Sequence, residues 1–146
     1  MAKFICLFVC VAVISSAYGV SQEEKEKFHE AIMPLLVECS EAHGVSKDDI
    51  KNAKEAGTAQ GLNSCFIGCV MKKAGIIDAK GQFDVDAGVE KIKKYIANAD
   101  EVAKFEEVGK TCASVNEKPV TDGEAGCDRA KLLLDCIREH KSEIPL

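Results

Sequence analysis

Apolar residues recur three and four positions apart along most of this chain, and nowhere do they alternate in twos. That period belongs to α-helices that bury one face. Ser21-Gln22-Glu23-Glu24 has the form of a capping box, and Phe28, Ile32, Leu35, Leu36 and Cys39 follow at helical spacing. A first helix is therefore expected from there to Gly44, kinked at Pro34, where an amide is lost and the ring crowds the preceding turn. Ser46-Lys47-Asp48-Asp49 opens a short second helix ending at Gly57. A third is expected over residues 62–74, with Gly75 free to take the left-handed cap. Asp84 caps a fourth, with Val85, Val89, Ile92 and Ile96 in one stripe. Asp100 starts a fifth, turning Val102, Phe105, Val108 and Cys112 inward. Thr121-Asp122-Gly123-Glu124 reads as another capping box, opening a sixth helix that runs to about Lys141. Leu132, Leu133 and Leu134 stand in a row there and cover about 200° of helix surface, so this helix should be wrapped on more than one side. The expected class is all-α: a six-helix domain over residues 20–146.

One stretch breaks the pattern. Residues 4–14 are an unbroken apolar run preceded by a single charge, Lys3. The run is too short to span a bilayer and has the length of a secretory h-region. Ala17 and Gly19 supply small residues at −3 and −1, so residues 1–19 read as a signal peptide cleaved after Gly19, with Ala17 as the alternative site. Cys6 and Cys10 leave with that segment. No later run is long enough for a membrane span.

Secretion changes the meaning of the remaining cysteines. Cys39, Cys65, Cys69, Cys112, Cys127 and Cys136 are an even set in an oxidising compartment, the condition for a disulfide framework. Cys65 and Cys69 lie one turn apart on one helix and point the same way, so they more naturally reach two different neighbours. Cys127 and Cys136, if both helical, are about 13 Å apart along the axis, beyond disulfide reach. Excluding both local pairs still leaves many pairings open.

Charge narrows the partners. With Lys3 removed from 19 basic residues against 24 acidic ones, the mature chain is net acidic, which argues against nucleic acid and anionic membranes. Trp is absent and aromatics make up 5% of the chain, so no base-stacking platform is visible. His29, His43 and His140 are scattered, and no Cys-Cys or His-Asp dipeptide of the phospholipase A2 kind occurs, so no enzyme is expected. The acidic stretch from Asp78 has Phe83 where a calcium loop needs Gly and Val89 where it needs a bidentate Glu. Disulfide use of the cysteines leaves no zinc site. No metal or cofactor is expected. The Cys-Cys and Cys-x-Cys motifs of plant-type lipid transfer proteins and the opening Cys-x2-Cys of saposin-like domains are also absent.

The intervals between successive cysteines are 25, 3, 42, 14 and 8 residues. This pattern resembles the insect odorant-binding protein family, which includes pheromone-binding proteins and general odorant carriers. The intervals of 3 and 8 are the most constant ones of that family. The resemblance covers the whole mature chain. It implies three interlocked disulfides, Cys39–Cys69, Cys65–Cys127 and Cys112–Cys136, around an internal apolar cavity. Closing loops of this size would stabilise by about 3.5–4.3 kcal/mol each in a chain-entropy estimate. An empty apolar cavity costs about 24 cal/mol per Å3, so bridges of that strength can offset a pocket of a few hundred Å3.

The resemblance further implies a carrier of small hydrophobic molecules such as odorants or pheromones, moving them through sensillar lymph or another secretion. An olfactory receptor is a candidate partner, and the protein would be a monomer or homodimer. The expected ligand-binding wall is Ile32 and Leu36 on the first helix, Phe66 and Val70 on the third, and Val89, Ile92 and Ile96 on the fourth. Val102 and Phe105 on the fifth and Leu133 and Ile137 on the sixth complete it. The alternative is a stapled helical protein with a solid core and a defence or interaction role. Only ten residues follow Cys136, too few for the long tail of some moth carriers, but Ile144-Pro145-Leu146 could close a pocket mouth as a lid.

Overall fold

The computed structural model describes residues 19–145, so the expected leader, apart from Gly19, and Leu146 lie outside the described residues. Among the described residues six α-helices follow one another: α1 Gln22–His43, α2 Lys47–Ala56, α3 Ser64–Lys73, α4 Val85–Lys93, α5 Ala99–Cys112 and α6 Cys127–Glu139. Short 3-10 turns cover Ala113–Glu117, Gly123–Ala125 and Lys141–Glu143. Among the described residues the only β pairing is one isolated antiparallel bridge, Ile77 to Phe83. No described helix is long and apolar enough to cross a membrane.

Local chemistry sets most of the helix starts. The Ser21 Oγ accepts the Glu24 amide at 3.2 Å, and Glu24 Oε2 accepts the Ser21 amide at 2.9 Å. Ser46 and Asp49 repeat the reciprocal arrangement at the start of α2. Asn63, Asp84 and Asn98 cap α3, α4 and α5 through side-chain oxygens. Helices α1 and α2 end on left-handed Gly44 and Gly57, at φ 64° and 65°. Helix α1 continues through Pro34, the position of the expected kink, without a break. Pro34 is exposed, so water can serve the carbonyl one turn earlier that loses its amide.

The start of α6 corrects the sequence reading. Thr121-Asp122-Gly123-Glu124 is no capping box; Gly123–Ala125 forms a 3-10 turn, Gly126 turns left-handed at φ 77°, and the helix begins at Cys127. Asp122 Oδ2 instead accepts the Cys127 and Asp128 amides at 2.7 and 3.2 Å. Asp128 Oδ2 reaches back to the Thr121 amide and hydroxyl at 2.9 and 2.7 Å. The motif still caps the helix, but across an intervening turn. Helix α5 likewise begins one residue earlier than expected, because Asn98 Oδ1 holds the Asp100 and Glu101 amides.

Helices α3 and α6 form the centre. Glycine lets them approach closely: a Cβ on Gly68 would lie 3.1 Å from the Gly126 carbonyl oxygen and 3.4 Å from Cys127 Cα. Cys65–Cys127 crosses the same junction with its Cα atoms 4.3 Å apart. Cys39–Cys69 ties α1 to α3, and Cys112–Cys136 ties α5 to α6, each with a Cα separation of 5.8 Å. These are the pairs that the family resemblance implies, and their spans overlap in sequence, so no disulfide loop is independent of the next. Helix α1 packs on α3, α4 pairs with α5, and α5 meets α6.

Candidate functional site

The buried apolar residues fall into three clusters rather than one. The first lies between α1, α3 and α6 and holds Phe66 and Val70, with Ile32 and Leu36 packed against it. The second lies between α5, α6 and the 3-10 turn that follows α5; it holds Leu133, with Ile137 at its side. The third lies between α4 and α5 and holds Val89, Ile96 and Val102, with Ile92 and Phe105 packed against it. The structure thus brings the expected wall residues together in three groups from different helices. Leu132 joins the second cluster and Leu134 the first, so α6 faces two clusters at once, as its row of leucines demands.

Sequence reasoning missed Ile77 and Val115, which are 2% and 1% exposed. Neither sits on a helix with an apolar stripe. Ile77 lies in the connection after α3, and Val115 in a 3-10 turn. The pair Ile76-Ile77 directly after Gly75 was the available signal for the first.

Two polar side chains organise the space around the second cluster. Arg129 is 4% exposed and, among the described residues, has no carboxylate partner; its Nη1 donates to the Val115 carbonyl and, at 2.8 Å, to the Lys118 carbonyl, and its Nε to the Gly81 carbonyl at 3.4 Å. A buried guanidinium surrounded by carbonyl oxygens fastens the loop at Gly81 and the turn after α5 onto α6. Asn116 makes two bonds with the Phe83 backbone, Oδ1 accepting its amide at 2.8 Å and Nδ2 donating to its carbonyl at 2.9 Å. Phe83 packs on the second cluster, so Asn116 fixes an aromatic edge of that space.

Two concavities open at the surface. One of about 380 Å3 lies along α4 and α5 and is lined by Ile96 and Val102 of the expected wall, with Ala97, Ala103, Lys93 and Glu106. The other, about 370 Å3, has Leu62, Ile67 and Leu134 beside Gln60, Lys131 and Asp135, none of them in the expected wall. Both have volumes on the scale of small-molecule sites. At the first, the Lys110 ammonium, hydrogen-bonded at 2.6 Å, holds the Glu106 carboxyl below its ordinary value.

At the C-terminus the Lys141–Glu143 turn brings Ile144 against the second cluster. His140 Nδ1 and Glu143 Oε1 are 2.7 Å apart and brace this turn. Among the described residues no group of three metal-ligating side chains converges.

Residues 21–140 match the model of the PBP/GOBP family. The chain is 29% identical over 134 residues to general odorant-binding protein 28a of Drosophila melanogaster, covering 90% of each protein. The solved structure of odorant-binding protein OBP28a from Drosophila melanogaster superposes with a TM-score of 0.61 at 28% identity, over 82% of this chain and 96% of that one. With the match spanning all six helices, this chain belongs to the PBP/GOBP family, the insect odorant-binding proteins.

Proposed function

We propose that the protein is secreted after removal of residues 1–19 and carries small hydrophobic molecules through an aqueous extracellular fluid. The observation that carries this reading is the family match over residues 21–140 on a chain whose three disulfides interlock. The division of the apolar interior into three clusters supports it. A ligand seated between clusters would gain about 25 cal/mol for each Å2 of apolar surface it buries. The wall would draw on Ile32, Leu36, Phe66 and Val70 from the first cluster and Leu133 and Ile137 from the second. Val89, Ile92, Ile96, Val102 and Phe105 would come from the third. Ile144-Pro145-Leu146 would serve as a short lid, with Ile144 as its apolar contact. No catalytic step is assigned; the carrier exchanges ligand with its surroundings, and an olfactory receptor is a candidate recipient.

The test is displacement of an environment-sensitive naphthylamine fluorophore from purified mature protein by a panel of alcohols, aldehydes and esters of increasing chain length. Saturable probe binding with displacement that grows with ligand apolar area is expected. Absence of saturable binding, with native mass spectra that stay empty, would favour the solid-core alternative. Deleting residues 142–146 should change ligand affinity or its pH dependence, and an unchanged profile would remove the lid.

A further inference from the structure

Glu101 is a carboxylate in an unusual place. It is 3% exposed, yet it belongs to the first turn of α5, where side chains normally face water. Three residues after the Asn98 cap, it holds the position from which a capping box would close on the cap's own amide. It turns elsewhere. Its Oε1 accepts the Gly19 amide at 3.3 Å, and its Oε2 lies 3.5 Å from the half-exposed Lys104 ammonium. Two long contacts are a thin set of partners for a buried carboxylate, which needs either a close cation or several short hydrogen bonds.

The chain around Gly19 is held from both sides. Val20 packs on the third apolar cluster beside Val85, Ile92 and Phe105. Four residues further on, in the first turn of α1, Glu24 Oε1 accepts the Ala97 amide at 2.9 Å, which anchors the start of α1 to the connection between α4 and α5. The proposed leader boundary falls within this anchored stretch. Cleavage after Gly19 leaves a free ammonium on Val20, within one residue's span, about 3.8 Å, of the amide that Glu101 now holds.

We propose that Glu101 is the receiving site for the α-ammonium of the mature chain, so that leader removal creates a buried ion pair that pins Val20 as a wall of the third cluster. The proposal rests on the secretory reading, because an uncleaved chain has no charge at this point. Among the described residues the charged group that meets Glu101 is Lys104 on α5; Asp100 is its chain neighbour, and Glu24 on α1 binds the Ala97 amide instead. Of these, Lys104 alone is a cation, and its half-exposed side chain leaves the buried carboxylate for a second one.

The test begins with the mass of the protein secreted from an insect cell line, which reads the first residue. Chains beginning at Val20 are then made with a free or an acetylated amine, each with Glu101 or Glu101→Gln. In the free-amine chain with Glu101, the α-amino pKa followed by NMR should rise by about one unit above its ordinary range of about 7.7–8.0, and return to it in the Gln variant. Glu101→Gln should lower the urea midpoint of the free-amine chain at least twice as much as that of the acetylated chain. An amine with an ordinary pKa, together with equal midpoint shifts in both backgrounds, overturns the pairing. A secreted chain that starts beyond Val20 overturns the leader boundary and, with it, the pairing.

Discussion

The α3–α6 junction and the α4–α5 pair are held by different means. At the junction, glycine lets two backbones meet, a disulfide crosses the contact, and a buried arginine gathers three carbonyls around it. Every one of these is a close, directional or covalent contact. The α4–α5 pair has apolar packing, and its one cysteine, Cys112, lies at the far end of α5. Beyond the packing of α5 on α6, it is tied to the N-terminal segment through Glu24 and Glu101. Six cysteines therefore do not stiffen the domain evenly. The junction serves as a frame, whereas the α4–α5 side carries one covalent tie, at the far end of α5.

Four perturbations would break or sharpen that contrast. The largest effect is expected from replacing both Cys65 and Cys127 with Ser. Urea denaturation should show a loss of about 4 kcal/mol, since this bond closes the longest loop, of sequence separation 62. A loss below about 1 kcal/mol would show that the junction holds without its bridge.

Next comes Arg129→Met. It keeps much of the side-chain volume but leaves the Gly81, Val115 and Lys118 carbonyls without their donor, so a cost of about 3 kcal/mol is expected in the same measurement. Hydrogen exchange should quicken in the turn after α5 before it does in α1.

A pair of glycine substitutions tests the frame directly. Gly68→Ala places a methyl 3.1 Å from the Gly126 carbonyl oxygen and should destabilise by about 1–3 kcal/mol. Gly88→Ala on α4 meets nothing closer than Phe83 at 3.8 Å and should instead stabilise by up to about 1 kcal/mol through helix propensity. Equal costs would erase the difference between the two regions.

The smallest effect concerns pH. The Ala97 amide, then the Ser21 amide and hydroxyl, hold the Glu24 carboxyl below its ordinary value. A carboxyl depressed in the folded state stabilises above its unfolded pKa, and that contribution fades as pH falls through the folded value. Acidification below the ordinary carboxylate range should therefore free the N-terminal segment first, seen as faster exchange at Ala97. Glu24→Gln should abolish that pH dependence while leaving α3 and α6 unchanged. If exchange at Ala97 keeps its pH profile in the variant, Glu24 is not the tie.

How far the chain was legible follows the range of each interaction. The Ser21, Ser46 and Asp84 caps lie within three residues of their targets, and those three were readable. Thr121 and Asp122 were recognisable as capping residues, but their partners lie across a left-handed Gly126, and a chain reversal of that kind depends on where α3 stands. Asn98 was passed over because Asp100 nearby is an equally good capping type. The burial of Phe66, Val89 and Leu133 was legible from the helical pattern, because a helix buries one face whatever it packs against. Glu101 and Arg129 were invisible for the opposite reason: charged residues in a helix ordinarily face solvent, and nothing local marks an exception.

The sequence by itself determined the helical class, most helix boundaries and, through the spacing of its cysteines, the family, because these depend on neighbours a few residues away and on the order of the cysteines along the chain. Only the tertiary structure decided that the apolar stripes separate into three clusters, that the capping residues before α6 work across a turn, and that a glutamate and an arginine are buried. Those outcomes depend on how helices cross and which carbonyls they aim inward, and crossing is set by contacts between residues far apart in sequence.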